Sequence, residues 1–162
     1  MGKINYLTGD ATAPVGGNGV IAHVCNDLGG WGHGFVMALS KKWKRPEEKY
    51  RSTPKEDLVV GNTQFVHVED DLIVANMIGQ NGLRYNKYDV PAVNYAAIEV
   101  TLNKVCAMAD ARMVNVHMPR IGCSLAGGSW EIMELVILRV LRNYKCDVYV
   151  YDFEGGVYNK LK

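Results

Sequence analysis

Two glycine-rich segments and one histidine are the residues whose types and spacing could do chemistry. The segments are Leu28-Gly-Gly-Trp-Gly-His-Gly34 and Pro119-Arg-Ile-Gly-Cys-Ser-Leu-Ala-Gly-Gly-Ser-Trp130. Each runs from a strand-like pattern into a helix-like one, so backbone N–H groups and the positive end of a helix could bind an anion there. His23 precedes the first segment, and an imidazole with its ordinary pKa of about 6.5 exchanges protons near neutral pH. These residues suggest an anion site beside a group that can transfer protons.

Neither segment matches a common nucleotide-phosphate motif. The P-loop spacing GxxxxGK[ST] is absent, and Phe35 stands where the dinucleotide fingerprint requires its third glycine. A plain connector is therefore an alternative for either segment. Two such segments at one edge of a sheet favour a diphosphate between them over a single phosphate.

The periodicity of apolar residues predicts the elements that must position these segments. The predicted strands are Ile4–Leu7, Val20–Val24, Asn62–Val68, Leu72–Ile78, Val114–Met118 and Asp147–Tyr151, and the predicted helices are Phe35–Trp43, Pro91–Ala109 and Trp130–Asn143. In the helices we expect Pro91 in a first turn, Ser129 as an N-cap and Asn143 as a C-terminal cap. This order predicts an α/β fold, a three-layer α/β/α domain with a mixed central sheet. Both glycine segments follow strands, so we expect them to share the rim where strand carboxyl ends meet.

Composition excludes several classes of function. The 162 residues carry 18 Lys+Arg and 17 Asp+Glu, a net charge of +1, which disfavours a dedicated nucleic-acid surface. The apolar runs are too short to span a bilayer and the N-terminus lacks a secretory pattern. Four scattered cysteines without a CxxC pair predict reduced thiols in the cytoplasm and no metal site. We expect residues 1–162 to form one monomeric domain without a cofactor.

At these segments the chain resembles the macro domain family, whose members bind ADP-ribose. Leu7-Thr-Gly-Asp-Ala-Thr12 is similar to the family's "GD[IL]" start, and Ala22-His-Val-Cys-Asn26 with residues 29–34 is similar to its "NAAN…GGG" segment. Within the family, the "IAHVCN" and "MPRIGC" strings resemble the branch that holds ADP-ribose-1''-phosphate phosphatases and terminal ADP-ribose glycohydrolases. The resemblance covers residues 4 to about 152 and implies the macro domain fold.

Carried over position by position, the resemblance implies a role for each matching residue. Asp10 would accept a hydrogen bond from the adenine amino group, with Ala11 lining the same pocket. His23 would be catalytic, and Asn26 would hold hydroxyls of the distal ribose during catalysis. The first segment would enclose the distal ribose and its 1'' position through Gly29, Gly30, Trp31, Gly32, His33 and Gly34. The second would bind the diphosphate through Gly122, Cys123, Ser124, Leu125, Ala126 and Gly127.

The chain departs from the glycohydrolase pattern at two positions. The glycohydrolases have a lysine where this chain has Gln80 or a neighbour, and Ala126 stands where they have an acid. A mechanism through a covalent sugar intermediate on those two groups is therefore not expected. Ser124 also differs, because related loops usually carry glycine there.

Structural alternatives stand beside several of these roles. His23 could be a hydrogen-bonded core histidine, Asp10 a turn cap, and Cys123 a thiol that packs in the loop. Trp31 could cover the ligand or pack on its own loop, and Asn76 and Gln80 could face the ligand or the core. The leading hypothesis is removal of the 1''-phosphate from ADP-ribose 1''-phosphate. The alternatives are a lysine-independent ADP-ribosyl hydrolase or O-acetyl-ADP-ribose deacetylase, and a reader that binds ADP-ribose without turnover.

Overall fold

The computed structural model describes residues 1–83, 91–123 and 126–153, which form six strands, four α-helices and two short 3-10 turns. The strands are β1 (Ile4–Thr8), β2 (Gly19–Asn26), β3 (Thr63–Glu69), β4 (Leu72–Gln80), β5 (Val116–Met118) and β6 (Val148–Asp152). The helices are α1 (Phe35–Lys42), α2 (Arg45–Ser52), α3 (Tyr95–Arg112) and α4 (Trp130–Leu141).

All six strands lie in one sheet, in the order β1-β6-β5-β2-β4-β3. The strand β3 pairs antiparallel with β4, and every other neighbouring pair is parallel. The β3–β4 hairpin turns at Asp70 and Asp71. The carboxyl ends of the five parallel strands therefore meet at one edge of the sheet, where the glycine segments follow β2 and β5.

The helices cover both faces of the sheet, because the strand side chains alternate between two apolar clusters. Along β2, Val20 and Ala22 face the cluster that contains α3 and α4. Ile21 and Cys25 face the opposite cluster, which contains α1 and the buried Tyr50 of α2. The predicted three-layer α/β/α fold with a mixed sheet is confirmed. The single-domain boundary of 1–162 stays a prediction.

Three predicted helix ends were wrong, and one of them is the end of α3, which lies at Arg112 rather than at Ala109. The helix α3 begins at Tyr95 rather than at Pro91, because the Asn94 side chain caps it by accepting a hydrogen bond from the Ala97 N–H (2.9 Å). The residues before it run beside the end of β4, where Val93 bridges Gln80. The helix α4 ends at Leu141, so Asn143 lies beyond it, and the Ser129 side chain makes no capping hydrogen bond.

The helix α2 was missed, because it buries only Pro46 and Tyr50 among its eight residues. Such a charged segment has too few apolar positions to show a helical stripe. It nevertheless contributes two side chains, those of Tyr50 and Arg51, to the region around the first glycine segment.

Candidate ligand-binding site

A cavity of about 620 Å³ opens at the sheet edge where β2, β4 and β5 end. Both glycine segments form its wall, as the shared-rim prediction required. The wall consists of residues 23–26, 30–36, Arg51, Gln80, Leu83, 119–122 and Ala126. The topology thus joins parts of the chain that lie about a hundred residues apart.

Asn26, the last residue of β2, shapes the first glycine segment with its side chain. Its Oδ1 accepts hydrogen bonds from the N–H groups of Leu28 (2.9 Å) and Gly30 (3.1 Å) and from the Tyr50 hydroxyl (2.9 Å). Its Nδ2 donates to the Gly30 carbonyl (2.9 Å). A Cβ on Gly30 would lie only 3.1 Å from that Nδ2, so glycine suits the position. Asn26 therefore holds the backbone of the segment as well as lining the cavity.

Trp31 anchors the same segment to the helices beneath it. The side chain is 4% exposed, and its indole Nε1 donates to the Ser40 hydroxyl (2.8 Å). Its ring packs edge-on against His23 (5.3 Å between centroids) and at a tilt of 40° against Tyr50 (5.5 Å). The ring is thus buried against β2, α1 and α2, and its contacts match neither of the two interpretations, covering a ligand or packing on its own loop.

The second glycine segment closes on itself through its backbone. The Gly128 N–H donates to the Gly122 carbonyl (2.8 Å), and a Cβ on Gly128 would lie 2.3 Å from that oxygen. Gly122 has a φ of 71°, in the left-handed region that favours glycine. The Val93 N–H donates to the Ala126 carbonyl (3.1 Å), which ties the segment to the residues beside β4.

His23 lies in the cavity wall but is almost completely buried, with 2% of its surface exposed. Its Nε2 lies 2.6 Å from Asn76 Oδ1. The Asn76 amide nitrogen donates to Pro46 O (3.0 Å) and Gln64 Oε1 (3.1 Å), which fixes Oδ1 as the acceptor. The His23 proton therefore sits on Nε2, and Nδ1 carries a lone pair. Asn76 thus faces His23 in the core, whereas Gln80 lines the cavity.

Solved structures decide the family of the chain. A macrodomain protein of Streptomyces coelicolor is 45% identical, with a TM-score of 0.76 over 92% of this chain and 98% of its own. The chain belongs to the macrodomain family. A protein of unknown function from Bacteroides thetaiotaomicron is 50% identical, with a TM-score of 0.89 over 94% of this macrodomain and 99% of its own chain. No family model matches the chain.

Curated relatives of this macrodomain are more distant. The mouse chromodomain-helicase-DNA-binding protein 1-like is 32% identical over 93% of this chain, which spans only 18% of the mouse protein. The ADP-ribose 1''-phosphate phosphatase of Candida albicans is 25% identical over 91% of this chain and 99% of its own.

The cavity of this macrodomain brings together most of the predicted site residues. Those in its wall are His23, Asn26, Gly30, Trp31, Gly32, His33, Gly34, Gly122 and Ala126. Those predicted for the site but absent from its wall are Asp10, Ala11, Gly29, Cys123 and Gly127. The predicted Ser124 and Leu125 lie outside the described residues.

The outlying predicted residues have identifiable structural contacts. Asp10 caps its own turn, because its Oδ1 accepts from the Thr12 N–H (2.8 Å) and hydroxyl (2.7 Å). Ala11 is fully buried in the cluster under α1. Gly29 donates its N–H to the Tyr50 hydroxyl (3.1 Å), and Cys123 packs against the cluster under α3 and α4.

Two arginines in the wall were not predicted from the sequence. Arg120 forms a two-pronged ion pair with Asp152 (2.7 and 2.9 Å) and lies over the rings of Tyr6 and Trp130. Arg51 lies at the other glycine segment and donates to the Trp31 carbonyl (2.8 Å). Among the described wall residues there is no lysine, aspartate or glutamate. The only sequence signal was the "PRIG" string for Arg120, and none marked Arg51.

Burial keeps His23 and the Cys25 thiol neutral near pH 7. It lowers the pKa of His23 to about 4, although the hydrogen bond to Asn76 opposes that shift. Burial also raises the pKa of the Cys25 thiol in the wall, which makes it a poor nucleophile at neutral pH.

Within the described part of the chain, no three His, Cys, Asp or Glu side chains lie close enough together to hold a metal ion. The described helices also include none with the length and apolar character of a membrane span.

Acidification should destabilise this macrodomain through two buried histidines. The pKa of His117 is also lowered to about 4 by burial, against a hydrogen bond to Asn18. Unfolded histidines take up protons near pH 6.5 and the folded ones only near pH 4, so stability falls as pH drops between these values. We expect the free energy of unfolding to fall by about 2 kcal/mol per histidine between about pH 7 and pH 5.

Urea unfolding at several pH values measures this effect. In the His117→Gln variant, the fall in unfolding free energy between pH 7 and pH 5 should be smaller by the contribution of one histidine. An unfolding free energy that stays level from pH 7 to pH 5 would contradict the prediction.

Proposed function

We propose that this macrodomain binds an ADP-ribose derivative in the cavity and hydrolyses the phosphate ester of ADP-ribose 1''-phosphate. One observation carries the proposal: the described wall joins both glycine segments with two arginines and holds no carboxylate. Such a wall suits an elongated anion, since backbone N–H and guanidinium groups both stabilise phosphate charge. The name of the Candida albicans relative supports the same reaction class.

The ligand would lie across the sheet edge from β2 toward β1. Its distal ribose would contact the first glycine segment, and its diphosphate would accept hydrogen bonds from the second. The adenine would extend toward Asp10, whose Oδ2 makes no hydrogen bond within the described residues and could accept one from the amino group. Arg120 belongs to the second segment, and its charge is balanced by Asp152.

In the proposed reaction a water oxygen bonds to phosphorus while the bond from phosphorus to the 1'' oxygen breaks. The Nδ1 lone pair of His23 would take the proton from water and return it to the departing sugar oxygen. The products are ADP-ribose and inorganic phosphate. A histidine with a pKa of about 4 starts this cycle neutral at physiological pH, so it serves first as a base rather than as an acid. Backbone N–H groups of the glycine segments would stabilise charge on the phosphoryl oxygens.

A reader of ADP-ribose without turnover is the second candidate. The observation that favours it is the burial of His23, which is 2% exposed and hydrogen-bonded to Asn76 as a core histidine would be. A glycohydrolase acting through lysine and an acid is not supported, since Gln80 and Ala126 occupy the wall where those groups would be needed.

Product analysis with the wild-type protein tests the proposal. Incubation with ADP-ribose 1''-phosphate should release inorganic phosphate and ADP-ribose in equal amounts. Binding of the substrate without phosphate release would leave the reader as the function. Absence of both binding and release would overturn the whole proposal.

A further inference from the structure

Arg51 lies beside the first glycine segment, which is proposed to enclose the distal ribose and its 1'' position. It occupies the last turn of α2, and its side chain is 50% exposed. It lines the cavity beside residues 30–34, the segment proposed to enclose the distal ribose. Arg120, the other arginine in the described wall, belongs to the second segment. The two guanidinium groups therefore lie at different glycine segments.

Hydrogen bonds hold the Arg51 guanidinium in one orientation. Its Nη2 donates to the Trp31 carbonyl (2.8 Å), and its Nε donates to Glu47 Oε2 (2.7 Å). The Ser40 hydroxyl donates to the other carboxylate oxygen of Glu47 (2.7 Å) and also accepts from Trp31 Nε1 (2.8 Å). This closed ring of contacts fixes the guanidinium against the first glycine segment. Its Nη1 donates to no group among the described residues.

The ion pair is asymmetric with respect to the cavity. The Ser40 hydroxyl and Arg51 lower the pKa of Glu47, so this carboxylate is ionised at neutral pH. Arg51 lines the cavity and Glu47 does not. The cationic partner of the pair is thus presented to the ligand, and the anionic partner is turned toward the helices.

We propose that Arg51 is a specificity residue that binds an anionic substituent on the 1'' carbon of the distal ribose. This inference rests on the proposed function, and it names the residue that distinguishes ADP-ribose 1''-phosphate from unsubstituted ADP-ribose. The Nη1, which donates to no described residue, and the fixed orientation provide a donor for a phosphate oxygen at low cost in side-chain entropy. The same guanidinium has no charged partner on ADP-ribose at that position.

The experiment compares two ligands across matched variants by calorimetric titration, using ADP-ribose and ADP-ribose 1''-phosphate. Product release is followed in parallel, so that any turnover of the phosphate is corrected for. Arg51→Gln should weaken binding of the 1''-phosphate about tenfold or more and change ADP-ribose binding less than about threefold. Arg45→Gln is the control, because it makes the same charge change on the same helix outside the cavity wall. It should alter neither affinity.

Equal weakening of both ligands by Arg51→Gln would overturn the role. So would wild-type protein that binds the two ligands equally. Wild-type protein that binds neither ligand would instead show that the proposed function itself is wrong.

Discussion

The variant His23→Gln should release phosphate from ADP-ribose 1''-phosphate about 100-fold more slowly than the wild-type protein, or slower still. A glutamine amide can still donate to Asn76 Oδ1, which now accepts from His23 Nε2 at 2.6 Å. It lacks the imidazole lone pair that the reaction requires. The affinity for ADP-ribose should change less than about threefold, because the glycine segments and both arginines remain in place.

A matched control for this prediction is His117→Gln. His117 is the other buried neutral histidine, with its pKa also lowered to about 4, but it is absent from the cavity wall. Its ring nitrogens contact the Tyr151 hydroxyl (2.8 Å) and the Asn18 carbonyl (3.0 Å). This variant should keep the wild-type kcat when assayed at neutral pH. Equal rates for His23→Gln and wild type would mean that His23 is a core residue without a catalytic role.

The variant Gly128→Ala should weaken ADP-ribose binding about 100-fold or more. Its new Cβ would lie 2.3 Å from the Gly122 carbonyl oxygen and 3.1 Å from the carbonyl carbon, and both are backbone atoms. Relief of this clash requires the segment to open and its 2.8 Å closing hydrogen bond to break. Displaced N–H groups would then lose two or more hydrogen bonds to the charged diphosphate, each contributing about 1.5–3 kcal/mol.

Calorimetric titration with ADP-ribose measures this loss, and urea unfolding at pH 7 separates it from a change in global stability. The control is Gly9→Ala, because a Cβ there meets only Tyr151, at an ordinary 3.5 Å, and the Gly9 φ is not positive. That variant should bind like wild type. Unchanged affinity in folded Gly128→Ala would mean that the second segment does not contact the ligand.

Sequence reasoning predicted the elements in which the pattern of apolar residues along the segment reflects which residues are buried. The uninterrupted apolar run in β4 reflects burial of every residue from 72 to 79, on both faces of the sheet. In α4, Met133, Val136, Ile137 and Val140 recur at helical spacing because they face one apolar cluster. The start of α3 could not be predicted in the same way. It depends on the Asn94 cap and on pairing of the preceding residues with the distant β4.

For the site, the glycine segments were visible because their composition is unusual, and their meeting followed from strand order. Arg51 and Tyr50 were not visible, since they belong to a charged helix without an apolar stripe. Their importance depends on hydrogen bonds to residues that lie twenty or more positions away in the sequence, from Tyr50 to Asn26 and from Arg51 to Trp31. Likewise, residue type alone gave His23 an ordinary pKa, whereas its burial beneath Trp31 lowers that pKa to about 4.

The most direct test of the central claim, that the cavity holds an ADP-ribose ligand, is calorimetric titration of the wild-type protein with ADP-ribose. We expect saturable binding at a single site with a dissociation constant in the micromolar range. This corresponds to a standard free energy of binding on the order of −7 to −8 kcal/mol. Absence of saturable binding at millimolar ADP-ribose would contradict the claim.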